Sequence, residues 1–159
     1  MHTLKLTLRS FALFSLLAAC QETNNRQLSD GFQVRIGQIC GWCAGEHELA
    51  LSAETYSYTY DHACDDELDV PEQFFDTPDQ DWHELTRHYH KQDFAKETIA
   101  TCNVCADGCD YWVIVSDGEF SHEIRFGNPK EVKTRSVRIF SKKLVTLLKE
   151  AQEEFGQEQ

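Results

Sequence analysis

Positive charge is scarce in this sequence. Fifteen lysines and arginines stand against 27 aspartates and glutamates, for a net charge of −12 at pH 7. So acidic a chain excludes the basic face that tracks nucleic-acid phosphates, and it excludes electrostatic adhesion to anionic lipid. Also missing is any apolar run of the roughly 20 residues that a membrane-spanning helix needs. There is no internal repeat and no low-complexity tract. The sequence has no GxSxG elbow, no phosphate-binding glycine loop, no EF-hand spacing and no nucleophile–base pair that spacing supports. Together these gaps argue for a non-catalytic role.

The N-terminus is where a positive signal begins. Lys5 and Arg9 open it, Phe11, Ala12, Leu13, Phe14, Leu16 and Leu17 form a short apolar run, and Ala18 and Ala19 precede Cys20. These are the parts of an export signal. Leu17-Ala18-Ala19-Cys20 resembles the lipobox of bacterial lipoproteins. The resemblance covers only this N-terminal segment. It implies a diacylglycerol thioether on Cys20, cleavage after Ala19 and fatty acylation (palmitate or a similar chain) of the new amine. One acyl chain holds a protein to a membrane weakly, while two or more hold it stably. Gln21 follows the cysteine where an Asp would signal inner-membrane retention, so the resemblance further implies the outer membrane of a Gram-negative envelope, with the protein facing the periplasm. In a Gram-positive host the same anchor places it on the cell surface. The segment 1–19 carries Lys5, Arg9 and no acidic residue, so its removal takes the net charge from −12 to −14.

This gives a signal peptide over 1–19, a lipidated tether over 20–31, polar through its QETNNRQLSD stretch, and one cysteine-rich domain over 32–159. Phe32 to Ile39 alternates apolar and polar residues and predicts a strand. Cys40–Gly45 predicts a tight connection into a second strand over Glu46–Tyr60, completing a hairpin. The alternation changes face between Ala53 and Tyr56, which predicts a bulge or break near Thr55. The acidic stretch 61–81 reads as a long loop. Asp81 and Glu84 have capping-box spacing ahead of a helix over 82–93, with Trp82, Leu85 and Tyr89 on one face. Two further strands flank Asp117-Gly118, a favoured type I′ turn pair. They carry Tyr111, Val113, Val115, Phe120, His122, Ile124 and Phe126 on the core face. A last helix over 136–155 buries Phe140, Leu144, Leu147, Leu148, Ala151 and Phe155 and ends at Gly156. The expected fold is α+β in ββαββα order, an antiparallel sheet of two hairpins with two helices on one face. That order is diffusely similar to uncharacterised bacterial lipoprotein domains with a CxxC-containing hairpin, a likeness that implies a fold and no activity.

The cysteines carry the chemistry. With Cys20 taken by lipid, six of the seven remain: Cys40, Cys43, Cys64, Cys102, Cys105 and Cys109. An even count in an oxidising compartment predicts disulfides, with no cofactor, though spacing leaves their connectivity open. One alternative is a zinc or copper site on Cys40, Cys43, Cys102 and Cys105, whose CxxC pairs suit a tetrahedral centre, with Cys64, Cys109, His62 and His122 as further donors. Another is thiol–disulfide exchange at Cys40-Gly41-Trp42-Cys43, but the residues that follow alternate as a strand and offer no helix N-terminus to lower a thiol pKa.

Weaker candidates complete the reading. His83 and His88 fall one residue outside the spacing of a zinc-protease helix. The carboxylates Asp61, Asp65, Asp66, Glu67, Asp69 and Glu72 could bind calcium but read better as a solvated loop. His122 reads as a satisfied core histidine, and Tyr56, Tyr58 and Tyr60 as sheet packing. The functional expectation is a lipid-anchored envelope protein with a partner-binding or structural role. Its partners are the membrane, through Cys20, and an envelope protein, and not nucleic acid.

Overall fold

The computed structural model describes residues 28–42, 44–65 and 69–155. Cys20, Cys43, Asp66, Glu67, Gly156, the expected signal peptide over 1–19 and residues 20–27 of the expected tether lie outside them. Strands β1 (Gln33–Cys40), β2 (Glu46–Leu51), β3 (Thr55–Asp61) and β4 (Val70–Asp76) come first, then helices α1 (Asp79–Thr86) and α2 (Lys91–Lys96). Strands β5 (Cys109–Asp117) and β6 (Phe120–Phe126) follow, and helix α3 (Arg135–Phe155) closes the chain. All six strands form one antiparallel sheet in the order β4-β3-β2-β1-β5-β6. The fold is therefore α+β, but the ββαββα order and the two-hairpin layout do not hold.

The differences have local causes. The face switch near Thr55 is a reversal of the chain, not a bulge. Ser52 makes the turn: its amide bonds to the Thr55 carbonyl at 2.8 Å, and its hydroxyl accepts from the amides of Glu54 and Thr55. One alternating stretch is thus two strands, with Leu49 opposite Tyr58 and Leu51 opposite Tyr56. The expected acidic loop contains β4. Pro71 and the surrounding charge hide that strand, yet both are tolerated at a sheet edge, where one row of backbone groups needs no partner. The opposite edge, β6, is covered by residues 99–101, which exchange backbone hydrogen bonds with Arg125.

The single helix expected over 82–93 is two helices. α1 starts after Pro78 with no side-chain cap, so Asp81 lies in its first turn and does not cap it. There its charge still favours the positive helix end. The chain breaks after Thr86, yet Leu85 and Tyr89 both turn inward and are buried, with Trp82 partly so.

The second hairpin turns at Gly118-Glu119, since Asp117 pairs with Phe120 and Val115 with His122. A two-residue loop at Asp117-Gly118 would instead set Ser116 opposite Glu119 and Val115 opposite Phe120; the observed pairing is shifted by two residues along β6, and an even slip keeps every side chain on its face. Tyr111, Val113, Val115, Ile124 and Phe126 accordingly lie in the core, as expected. α3 lies over that same face with Phe140, Leu144, Leu147, Leu148 and Ala151 buried, and Phe155 stacks on Phe75 with centroids 4.4 Å apart. On the outer face Trp112 lies flat over Gly37, where a Cβ would collide with the indole. Its Nε1–H donates to Glu46 at 2.5 Å, and the Arg35 guanidinium, held by Glu48, sits 5.5 Å from the ring. Among the described residues no helix is long and apolar enough to cross a membrane.

Candidate functional site at the cysteine-bearing end of the sheet

Three cysteine-bearing segments, around residues 40–45, 61–65 and 102–109, meet at one end of the sheet. The Gly41 amide donates to the Gly108 carbonyl at 3.2 Å, and the Tyr60 hydroxyl to the Ala44 carbonyl at 3.3 Å. Gly45 has φ +72°, and a Cβ there would strike the Asp61 carbonyl, so only glycine lets the β1–β2 turn pass this close to the end of β3.

Cys40 is bonded to Cys109 and Cys102 to Cys105. Cys40 and Cys109 are directly opposite in the β1–β5 ladder, so the bridge extends that ladder by one covalent rung. Cys64 is also disulfide-bonded. All five described cysteines are thus oxidised.

The Cys102–Cys105 loop is organised by Asp110, which is fully buried. Its carboxylate accepts from the Thr101 hydroxyl at 2.7 Å, the Asn103 side-chain amide at 2.9 Å and the Val104 backbone amide at 3.1 Å. Burial alone would raise its pKa. The hydrogen bonds from Thr101, Val104 and Asn103 together outweigh burial and hold it below the usual carboxylate range. The short 3-10 turn Asn103–Ala106 is therefore braced on both sides, by a disulfide and by a buried anion.

Across the sheet, His47 Nδ1 lies 2.8 Å from the Tyr58 hydroxyl, and its ring stacks on Tyr60 at 4.3 Å. Burial lowers the His47 pKa and pushes the Tyr58 phenol up to about 12. At neutral pH the pair is uncharged, suited to holding position and not to relaying protons. Trp42, at the tip of the β1–β2 turn, has φ 55° and is 82% exposed.

The sequence candidates fare unevenly. For the metal reading, Cys40, Cys102 and Cys105 are in disulfides and offer no thiolate, while Cys43 lies outside the described residues. Among the described residues no three His, Cys, Asp or Glu side chains converge as a metal site would require. For the exchange reading, Cys40 is tied to Cys109, not to its CxxC neighbour. His83 lies in α1 and His88 beyond its end, so they do not share one helix face. His122 Nε2 is 2.7 Å from the Glu97 carbonyl oxygen, a satisfied contact. Two of the loop carboxylates are occupied locally, Asp69 by the His62 amide and Glu72 by the Ser57 hydroxyl. Tyr56 and Tyr58 pack on the core face as sheet residues.

Sequence reasoning passed over His47 and Asp110. The first shares its alternation parity with Leu49 and Leu51, which marks it as inward-facing. The second follows a cysteine that must pair, which makes its neighbourhood crowded. No protein-family model matches the chain and no curated protein is significantly similar to it, so its functional reading rests on its own residues.

Proposed function

We propose that the chain is a lipid-anchored protein of the cell envelope, on the outer membrane and facing the periplasm, with a non-catalytic, partner-binding or structural role. The observation that carries the reading is the state of the cysteines. Every described one is disulfide-bonded, which fits an oxidising compartment and not a reducing cytoplasm. Seven is an odd number, and the cysteine that three bridges leave over is accounted for by the lipobox. Disulfides also suit a tethered domain that must persist outside the cell's chaperone network.

Trp42 supports a partner-binding role. A large, rigid indole held out on a braced turn is the kind of residue that anchors protein interfaces. The anchor is tested by fractionation. The wild-type chain is expected in the membrane fraction and in the detergent-rich phase after phase separation. A Cys20→Ser variant is expected to lose both properties, and one that stays fully membrane-bound would refute the lipid anchor.

A further inference from the structure

Cys102 and Cys105 form a CxxC pair that is bonded to itself, and both residues are exposed. Cys40 and Cys109 are placed differently. They face each other in the β1–β5 ladder, and Cys40 is half-buried. An outside sulfur that entered between them would have to part the last rung of two paired strands. Entry between Cys102 and Cys105 parts no strands, because the pair lies in the turn that precedes β5. Access governs thiol–disulfide exchange, so exposed disulfides are the labile ones.

The turn does not depend on its disulfide alone. Thr101, Asn103 and Val104 are all hydrogen-bonded to the buried Asp110 carboxylate, and the Gly108 amide donates to the Asn103 carbonyl at 2.9 Å. These bonds hold the residues on either side of Cys102 and the stretch between it and Cys105. They do not pass through sulfur, so they persist when the disulfide opens. The two thiols then stay side by side and can close again. A bond that opens without unfolding its surroundings is suited to reversible exchange as well as to bracing.

A docking feature lies alongside. Gly41 packs on this turn: a Cβ there would come within 3.4 Å of the Val104 carbonyl oxygen and of the Asp107 Cα. The next residue is Trp42, which is 82% exposed on a turn with φ 55°. The exposed disulfide and the exposed indole thus belong to two segments in contact. A large rigid ring left in solvent beside a reactive bond is suited to hold an incoming protein.

We propose that Cys102–Cys105 is a thiol–disulfide exchange site for a dithiol protein that docks on Trp42. A thiolate of the partner attacks one of the two sulfurs. The Cys102–Cys105 bond breaks, a mixed disulfide forms, and the other cysteine leaves as a thiolate and takes up a proton. The partner's second thiol then attacks the mixed disulfide and releases the chain. The two electrons and two thiol protons of the partner end on Cys102 and Cys105, and the partner is left with a disulfide. The reverse sequence restores the bond. The inference rests on the partner-binding reading of Trp42 and is independent of the lipid anchor.

The test is reduction of the detergent-solubilised, lipidated protein by dithiothreitol and, separately, by reduced thioredoxin as the dithiol protein. Samples are quenched by alkylation, and peptide mass spectrometry assigns the opened cysteines. The expected result is joint labelling of Cys102 and Cys105 at a dithiothreitol concentration at least about tenfold below that which opens Cys40–Cys109. Thioredoxin should open the same pair, and Trp42→Ala should slow that reaction at least about fivefold while leaving the dithiothreitol rate unchanged. Trp42→Phe should restore most of the lost rate. Cys102→Ser/Cys105→Ser should stay folded with Cys40–Cys109 closed and should lose the fast phase of thioredoxin oxidation. A Cys102–Cys105 bond that opens with or after Cys40–Cys109 would overturn the exchange site and leave the partner-binding reading of Trp42 intact. No opening by thioredoxin would overturn the proposal, and so would an unchanged thioredoxin rate in Trp42→Ala, which would also remove the docking role of Trp42.

Discussion

Cys40 and Cys109 face each other across β1 and β5 but are 69 residues apart in the chain. Their bond closes a long loop in the unfolded state, which by loop entropy stabilises the fold by roughly 4 kcal/mol. Cys102 and Cys105 are three residues apart, so the same relation gives their bond roughly 2 kcal/mol. In urea unfolding under non-reducing conditions, Cys40→Ser/Cys109→Ser is therefore expected to be the more damaging double substitution. Equal losses would show that local strain or packing, and not loop closure, sets the cost. His47 gives a second residue-level outcome. Its pKa is lower in the folded chain than the usual value near 6.5, because burial disfavours the imidazolium. As pH falls through that value the unfolded chain takes up the proton first, so stability present at pH 7 declines toward pH 5. His47→Phe should flatten this part of the profile in thermal unfolding. A wild-type curve already flat from pH 7 to pH 5 would contradict the buried, neutral assignment.

Among the elements, the β1–β5 pair depends on one small residue. Gly37 leaves the space that the Trp112 indole fills, and the ring is thereby placed for its bond to Glu46 and its contact with Arg35. Gly37→Ala should push the ring outward, costing about 1–3 kcal/mol of stability and shifting tryptophan emission to the red. Gly31→Ala, where a Cβ meets nothing within 4 Å, should leave both unchanged. The elements differ in how plainly the sequence announces them. α3 and the β5–β6 hairpin were legible because their apolar spacing extends over many residues and the hairpin's face assignment survives a two-residue slip. β4 was not, because edge strands admit proline and charge. The β2–β3 turn was legible only as a change of parity, since Ser52 builds it without glycine or proline. The α1–α2 break was hidden because Leu85 and Tyr89 point inward whether or not the helix is continuous. The cysteines were identifiable as disulfide formers, but their pairing depends on strand register across β1 and β5, which spacing alone does not encode.

For the whole molecule, location and covalent state stand or fall together. In the proposed reading, an oxidising compartment accounts for the disulfides among the described residues, and lipidation at the lipobox-like segment accounts for export and for the odd cysteine count. The strongly acidic chain has no electrostatic means of holding an anionic bilayer, so the attachment we propose rests on lipid at Cys20 alone. The measurement that tests this most directly is the intact mass of protein purified from membranes, alkylated with and without prior reduction. The expected chain begins at Cys20, carries fatty-acyl mass on that residue, takes up no alkylating groups before reduction and takes up six after it. A chain that retains residues 1–19, or one with seven alkylatable cysteines and no acyl mass, would contradict the account.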